Sequence, residues 1–176
     1  MDREKLSLKI ARLGATARLH DLIFFTGEGD AQRARRILEV IERLDPGVYL
    51  IGTGPYTQGV YSLTADEIVL GRMATPLEQF LDQAVDIFVN DAAELSPREV
   101  SRVHASVFRR QVESASDYFI ADRGSTMGTF VDGEPLEKPV SGESQELQRV
   151  RCRLNHGAVI SLGPSHVNTF VFVDLR

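Results

Sequence analysis

From Gly47 to the C-terminus, short apolar runs alternate with turn-forming residues, and this pattern leaves the chain few architectures. Each run has five or six residues and is rich in Val, Ile, Tyr or Phe, as is typical of β-strands. The runs are VYLIG, GVYSL, EIVLG, DIFVN, HASVF, YFIAD, GTFVD, AVISL and NTFVFV. So many short strands predict a mainly β fold, either a sandwich or a barrel.

Before Gly47 the sequence has helical periodicity instead. Asp30 is a candidate N-cap and Pro46-Gly47 a stop signal, and between them lies an apolar stripe at helical spacing. The stripe consists of Ala34, Ile37, Leu38, Ile41 and Leu44. A weaker repeat over residues 6–17 predicts an earlier helix. We therefore expect residues 1–46 to form a helical N-terminal extension that packs on the β region or self-associates, because apolar stripes are rarely left in water.

Length and composition exclude several classes of protein. The 176 residues are enough for one domain with a real core, and no apolar run reaches the roughly 20 residues of a membrane-spanning helix. The N-terminus does not resemble a signal peptide, so we expect a cytoplasmic protein that does not bind membranes. Cys152 is the single cysteine, which argues against a disulfide framework or a cysteine-based zinc site. We expect no metal and no cofactor.

The charge pattern argues against nucleic-acid binding. The formal net charge is -5, and basic residues do not interleave with aromatic ones, whereas a basic face is the usual footprint of nucleic-acid binding. Residues 96–129 differ from this acidic background, because they hold five Arg and only four acidic residues. The window sums to +1, whereas the rest of the chain sums to -6, so it is less hostile to an anion than its surroundings.

Two short helical inserts are predicted within the β region. TPLE at 75–78 and SPRE at 96–99 each combine an N-cap, a proline at the first helical position and a glutamate two residues later. The second insert leads directly to the next β-type run. Ser101 and Arg102 are therefore expected on a loop or a frayed helix end ahead of a strand.

Four segments in order resemble the signature motifs of the forkhead-associated (FHA) domain. They are LGR at 70–72, SRVHA at 101–105, DRGSTMGTFVDG at 122–133 and LNHGAVISLG at 154–163. The resemblance covers about residues 47–176. It implies an FHA domain over that range, folded as a β-sandwich of two twisted sheets, with loops at one end that bind phosphothreonine peptides.

The resemblance also assigns roles to individual residues. It implies that Arg72 contacts the phosphate or the peptide backbone, that Ser101 and Arg102 bind the phosphate, and that Thr126 reaches the phosphothreonine. Ser125 either braces the loop or touches the ligand. These residue types suit the chemistry, because a phosphothreonine carries about -1.5 to -2 charges and three strong acceptor oxygens.

His104, Gly124 and Gly128 are expected to be structural. By the resemblance, His104 holds the binding loops through hydrogen bonds, and the glycines adopt turn conformations that other residues avoid. A catalytic reading of Ser101, His104 and Asp122 is disfavoured, because EVSRV lacks the G-x-S-x-G elbow that exposes a serine nucleophile. The chain is therefore not expected to be an enzyme.

Met127 departs from the family pattern. Most FHA domains have an asparagine at this position, which is expected to hydrogen-bond the backbone of the bound peptide, whereas a thioether cannot donate a hydrogen bond. Two hypotheses follow. The first is an adaptor that binds a phosphothreonine-containing protein, such as a Ser/Thr protein kinase or its substrate. The alternative is a phospho-independent interaction or scaffold protein that uses the sandwich, the Met127 surface and the N-terminal helices.

Overall fold

The computed structural model describes residues 30–54, 56–57, 59–72, 85–89, 98–112, 115–139 and 150–176. Within these residues the chain forms eleven strands and one helix. The helix predicted over residues 6–17 and the insert predicted from residue 75 lie outside them. Of the second predicted insert, only residues 98 and 99 are described, and they are not helical.

The strands follow one another with short connections. In chain order they are β1 (Val48–Gly52), β2 (Gly59–Ser62), β3 (Glu67–Arg72), β4 (Ile87–Val89), β5 (Ala105–Val112), β6 (Ala115–Asp122), β7 (Thr129–Val131), β8 (Glu134–Pro135), β9 (Cys152–Arg153), β10 (Val159–Leu162) and β11 (Thr169–Asp174). The helix α1 (Asp30–Ile41) precedes β1.

The strands pair into two sheets, as predicted. The six-stranded sheet has the order β2-β1-β11-β10-β7-β8, and the five-stranded sheet has the order β4-β3-β5-β6-β9. Strands β3 and β4 run parallel, and the long β5–β6 ladder is antiparallel from Ala105 opposite Asp122 to Val112 opposite Ala115. The crossovers between sheets bring loops from distant parts of the sequence to the same end of the sandwich.

The main core lies between the sheets. Leu50, Ile160 and Phe170 come from the six-stranded sheet, Leu70 and Ile120 come from the five-stranded sheet, and all five belong to one buried cluster. Full burial of one such side chain contributes about 1.5–3 kcal/mol, so this layer supplies most of the driving force for folding.

Helix α1 packs on the outer face of the six-stranded sheet. Ala34 and Ile37 are buried there in a second cluster, against Ile51, Val171 and Val159. Alternate residues of a strand point to opposite faces, so β11 has apolar residues throughout: Phe170 and Phe172 face the main core, while Val171 and Val173 face the second cluster with α1. The apolar stripe predicted from the sequence is thus used within the fold.

The structure limits two predictions about the N-terminus. The helix ends at Ile41 rather than Leu44, because the following turn tightens: Arg43 N donates to Val40 O at 3.0 Å and Leu44 N to Ile41 O at 3.3 Å. A helical N-terminal extension over residues 1–46 is not supported, because only this one short helix is described within it. Its apolar stripe is occupied by the sheet, so it offers no support for self-association.

Candidate functional site

Loops from both sheets meet at one end of the sandwich. Arg72 ends β3, and its N–H donates to Ser101 O at 3.0 Å on the loop before β5. Thr126, in the loop between β6 and β7, donates its N–H to Ser101 Oγ at 3.1 Å. The structure therefore brings together Arg72, Ser101 and Thr126, which lie far apart in sequence. We call this set, with the neighbouring Arg102, the loop-end cluster.

Gly71 allows the Ser101 loop to lie directly against β3. A Cβ atom at residue 71 would lie 1.9 Å from Arg102 O, which is far inside any permitted contact. Only glycine fits this close approach between two backbones. Gly71 is part of the LGR motif, so the sequence does show a glycine at this position. The sequence alone does not show why glycine is needed, because the contact is with a loop some 30 residues away.

His104 is completely buried and links two loops. Its Nδ1 accepts a hydrogen bond from Ser101 N at 3.0 Å, and its Nε2 lies 3.0 Å from Gly128 O. An acceptor at Nδ1 and a carbonyl at Nε2 require the neutral tautomer with the proton on Nε2. The imidazole therefore fixes the Ser101 loop relative to Gly128.

The geometry does not support a catalytic triad of Ser101, His104 and Asp122. His104 Nδ1 is occupied by a backbone N–H, and Nε2 donates to a carbonyl, so neither nitrogen is available to deprotonate a hydroxyl. Asp122 instead accepts hydrogen bonds from the Ser125 N–H at 2.7 Å and hydroxyl at 2.6 Å. Its role is to organise the adjacent loop.

Asp122 is the buried centre of the β6–β7 loop. Besides Ser125, it accepts a hydrogen bond from Thr129 Oγ1 at 2.7 Å, and Ser125 Oγ accepts one from Gly128 N at 2.9 Å. Gly124 and Gly128 have φ values of 78° and 88°, in the left-handed region that favours glycine. These bonds fix the loop before any ligand arrives.

Ser125 belongs to this brace rather than to the ligand-binding surface. Its side chain is 3% exposed, and its hydroxyl is engaged by both Asp122 and Gly128. Of the two roles expected for Ser125, bracing the loop or touching the ligand, these contacts favour bracing. Thr126, by contrast, is exposed, and Met127 beside it is half-buried.

Lys138 was not anticipated from the sequence. It follows β8, and its Nζ donates to Ser125 O at 2.8 Å and to Thr126 O at 3.0 Å. The side chain is exposed. A lone lysine after a two-residue strand carries no sequence signal, because its contact with the loop depends entirely on how β7 and β8 pair.

A turn of the six-stranded sheet supports the same end. Gly163 N donates to Gly128 O at 2.9 Å, and the Ser165 hydroxyl donates to the Glu99 carboxylate, two residues before Ser101. The neighbouring His166 ring bonds Ser161 through Nδ1 at 2.9 Å. Burial lowers the pKa of His166, and the charge of Glu99 only partly opposes this, so the ring is neutral at pH 7.

Charges are distributed unevenly over the molecule. Four arginines form ion pairs of 2.6–2.8 Å with carboxylates: Arg109 with Asp66, Arg123 with Glu67, Arg153 with Asp117 and Arg176 with Asp174. Among the residues that the structure describes, Arg102 and Lys138 form no such pair. The end of the sandwich that holds the loop-end cluster therefore offers cationic charge to an anion.

A cavity at the opposite end does not offer this chemistry. It has a volume of about 460 Å³ and is lined by residues that include Arg153, His156 and Arg176. Both guanidinium groups are neutralised, and the hydrogen bond from Arg176 lowers the pKa of Asp174 and keeps it ionised. The cavity therefore has no unpaired cation with which to bind a phosphate.

Comparisons with known proteins agree with the architecture. The family model of the FHA domain matches residues 68–163. The FHA domain of the CT664 protein from Chlamydia trachomatis has a similar structure, with a TM-score of 0.50 and 20% identity, over 73% of this chain and 98% of that one. Full-length yeast Pml1p is also similar in structure, with a TM-score of 0.53 and 14% identity, over 79% of this chain and 91% of that one. At these identities the two structures indicate a shared fold.

Two further comparisons bear on the chain. No curated protein sequence shows significant similarity to it. Across the described segments, no helix has the length and apolar character that crossing a membrane requires.

Proposed function

The chain belongs to the FHA family, and on this premise we propose that it is an adaptor module that binds phosphothreonine-containing segments of other proteins. Recognition of phosphorylated motifs through arginine-based sites is the mode that FHA domains use. We assign the phosphate site to the loop-end cluster. The proposal extends to a partner that is a Ser/Thr protein kinase or its substrate, and to a cytoplasmic location.

One observation carries the proposal: Ser101 Oγ accepts the Thr126 N–H at 3.1 Å, so its own proton remains to be donated outward. This donor belongs to a loop that also carries Arg102, and the loop bonds the backbone of Arg72 and of the exposed Thr126. A phosphate needs such short donors together with fixed cations, because charge-assisted hydrogen bonds are about twice as strong as neutral ones.

Rigidity supports the same assignment. The His104 ring fixes the Ser101 loop, and the Asp122 carboxylate fixes the Thr126 loop, both through hydrogen bonds from a fully buried side chain to the loop backbone. A preorganised site loses little side-chain and loop entropy on binding, which increases affinity. We propose that the FHA domain spans residues 47–176, and that residues 1–46 are an extension whose described part, α1, packs on it.

Met127 favours a second candidate, a phospho-independent scaffold. The side chain is half-buried and offers an adaptable apolar contact in the place where most family members have a hydrogen-bonding asparagine. A titration with a phosphothreonine peptide library and the same library after dephosphorylation separates the candidates. The adaptor requires the phosphate for binding, whereas the scaffold binds partners equally well without it.

Mutation of the loop-end cluster tests the site itself. We expect Arg72→Ala, Ser101→Ala and Thr126→Ala each to weaken phosphopeptide binding by about 1.5–3 kcal/mol, with little change in the melting temperature. Arg110→Ala is the matched control, because Arg110 is an exposed arginine on β5 outside the cluster. Fluorescence polarisation measures the affinities. Wild-type affinity in all three variants would remove the site assignment.

A further inference from the structure

Lys138 lies against the loop that carries Thr126, although it is contributed by a different part of the chain. A Cβ atom at Gly128 would lie 3.8 Å from Lys138 Cε, so the lysine stem passes the end of the loop. Its ammonium group then reaches the two carbonyl oxygens of Ser125 and Thr126, at 2.8 and 3.0 Å. The charge is thereby held in one place instead of moving with a flexible side chain.

The ammonium group is not used up by these contacts. It has three donors, of which two are directed at carbonyls, and the side chain is exposed. No carboxylate within the described residues neutralises it, in contrast to the four paired arginines elsewhere. One donor and the full positive charge therefore remain for a ligand.

The distance to the phosphate site fits a neighbouring residue of the peptide. Thr126 N contacts Ser101 Oγ, and Thr126 O contacts Lys138 Nζ. The N and O atoms of one residue are at most about 3.6 Å apart, so Nζ lies within about 7 Å of the Thr126 N–H. An extended peptide advances about 3.3 Å per residue, so Nζ is one or two residues away from a phosphothreonine bound beside Thr126 in the loop-end cluster.

We propose that Lys138 is a specificity-determining residue that selects targets with an aspartate or glutamate one or two positions from the phosphothreonine. The inference rests on the proposed function, since it assumes that the phosphate binds at the loop-end cluster. Any apolar contact with Met127 would add to this selection by charge. Together they describe a target with a phosphothreonine, an acidic neighbour and an apolar neighbour.

Matched peptides test this inference on the full chain. Phosphothreonine peptides carry either Glu or Gln at one of the four positions within two residues of the phosphothreonine. For at least one position, we expect wild-type protein to bind the Glu peptide about two- to fivefold more tightly, the range of an exposed ion pair. Raising the salt concentration should narrow this ratio, because the charges are solvated.

Two substitutions separate charge recognition from loop bracing. Lys138→Gln keeps a donor for the carbonyls but removes the charge, so the Glu-to-Gln affinity ratio should fall to about one, whatever happens to the affinity common to both peptides. Lys138→Arg keeps the charge and should keep the preference for Glu. Thermal melts establish that both variants are folded.

The outcomes distinguish this inference from the function on which it rests. Phosphate-dependent binding without any preference for Glu in wild type, or a preference that survives in Lys138→Gln, would overturn the role of Lys138 alone. Binding that does not depend on the phosphate would overturn both the role of Lys138 and the proposed function.

Discussion

At the residue scale, His104 shows how one buried ring can set the geometry of a surface site. It never reaches the surface, yet it bonds the Ser101 N–H on one side and Gly128 O on the other. The ring binds the backbone of Ser101, and the hydroxyl of the same residue is part of the loop-end cluster. We therefore expect substitutions of these two contacting residues to have different effects: loss of stability at His104 and loss of binding at Ser101.

His104→Ala tests this separation. We expect the free energy of unfolding to fall by about 1–3 kcal/mol, because the part-buried Ser101 N–H loses the hydrogen-bond partner that the buried ring supplies. Ser101→Ala, which keeps the backbone N–H, should instead lose phosphopeptide affinity and keep its stability. Chemical denaturation and fluorescence polarisation on both variants give the comparison. A His104→Ala protein of wild-type stability that no longer binds would contradict the structural role.

Met127 occupies the loop position that, in our proposal, meets the peptide backbone. With an asparagine restored by Met127→Asn, we expect one or two hydrogen bonds to the peptide, each worth about 0.5–1.5 kcal/mol and thus roughly two- to tenfold in affinity. The wild-type protein should instead prefer peptides with an apolar residue near the phosphothreonine. A peptide library measured against both proteins tests this. Unchanged affinity and preference in Met127→Asn would mean that Met127 packs under the loop and is not in the peptide groove.

At the element scale, the site depends on how closely the Ser101 loop approaches the end of β3. In Gly71→Ala the new Cβ would collide with Arg102 O, so the loop must move away from the strand. We expect at least a tenfold loss of phosphopeptide affinity, since displacement of about 1 Å can cost this much in a preorganised site. Affinity is measured at a temperature where the variant remains folded.

Gly133→Ala is the matched control for this substitution. Gly133 has a φ of 90° in the β7–β8 turn, but nothing lies within 4 Å of a Cβ atom there. The variant should lose about 1–2 kcal/mol of stability through backbone strain while binding normally. Equal effects of the two alanines on affinity would show that Gly71 matters only through general stability.

Strands could be predicted where buried and exposed side chains alternate along an apolar run. They could not be predicted where only backbone pairing with a neighbouring strand defines them. The nine apolar runs correspond to nine observed strands, because each has one face in the main core. Strands β8 and β9 have two residues each, too few for any periodicity. The β5–β6 hairpin extends beyond its predicted runs through mostly polar residues, which are in a strand because their backbones pair.

The proposed site residues also divide into those that a sequence motif indicates and those that only the folded structure reveals. Arg72, Ser101 and Thr126 could be proposed from motifs, because their type and order carry the resemblance to FHA domains. The roles of Asp122 and Lys138 could not, because they depend on contacts that exist only after folding. The burial of Ser125 likewise follows from the Asp122 network and not from its neighbours in sequence.

At the scale of the whole molecule, the six-stranded sheet is covered on both faces. The five-stranded sheet packs on one face and α1 on the other, at the opposite side of the sheet from the main core. The loop-end cluster belongs to the strand ends, and no described contact joins it to α1. Stability contributed by α1 should therefore be independent of phosphopeptide binding.

Ile37→Ala tests this independence. Ile37 is 5% exposed and packs in the same cluster as Ile51 and Val171, so truncation should lower the free energy of unfolding by about 2–5 kcal/mol. The affinity for phosphopeptides should not change while the protein remains folded. Arg35→Ala, on the exposed side of the same helix, is the matched control and should alter stability by less than about 0.5 kcal/mol.

If Ile37→Ala were as stable as Arg35→Ala in urea denaturation, α1 would be a loosely attached segment. If Ile37→Ala were stable but bound phosphopeptides weakly, the helix would be coupled to the site through the six-stranded sheet. Such coupling has a physical route, because β10 and β11 contribute Val159 and Val171 to the helix cluster, and the turn that joins these two strands contacts Gly128.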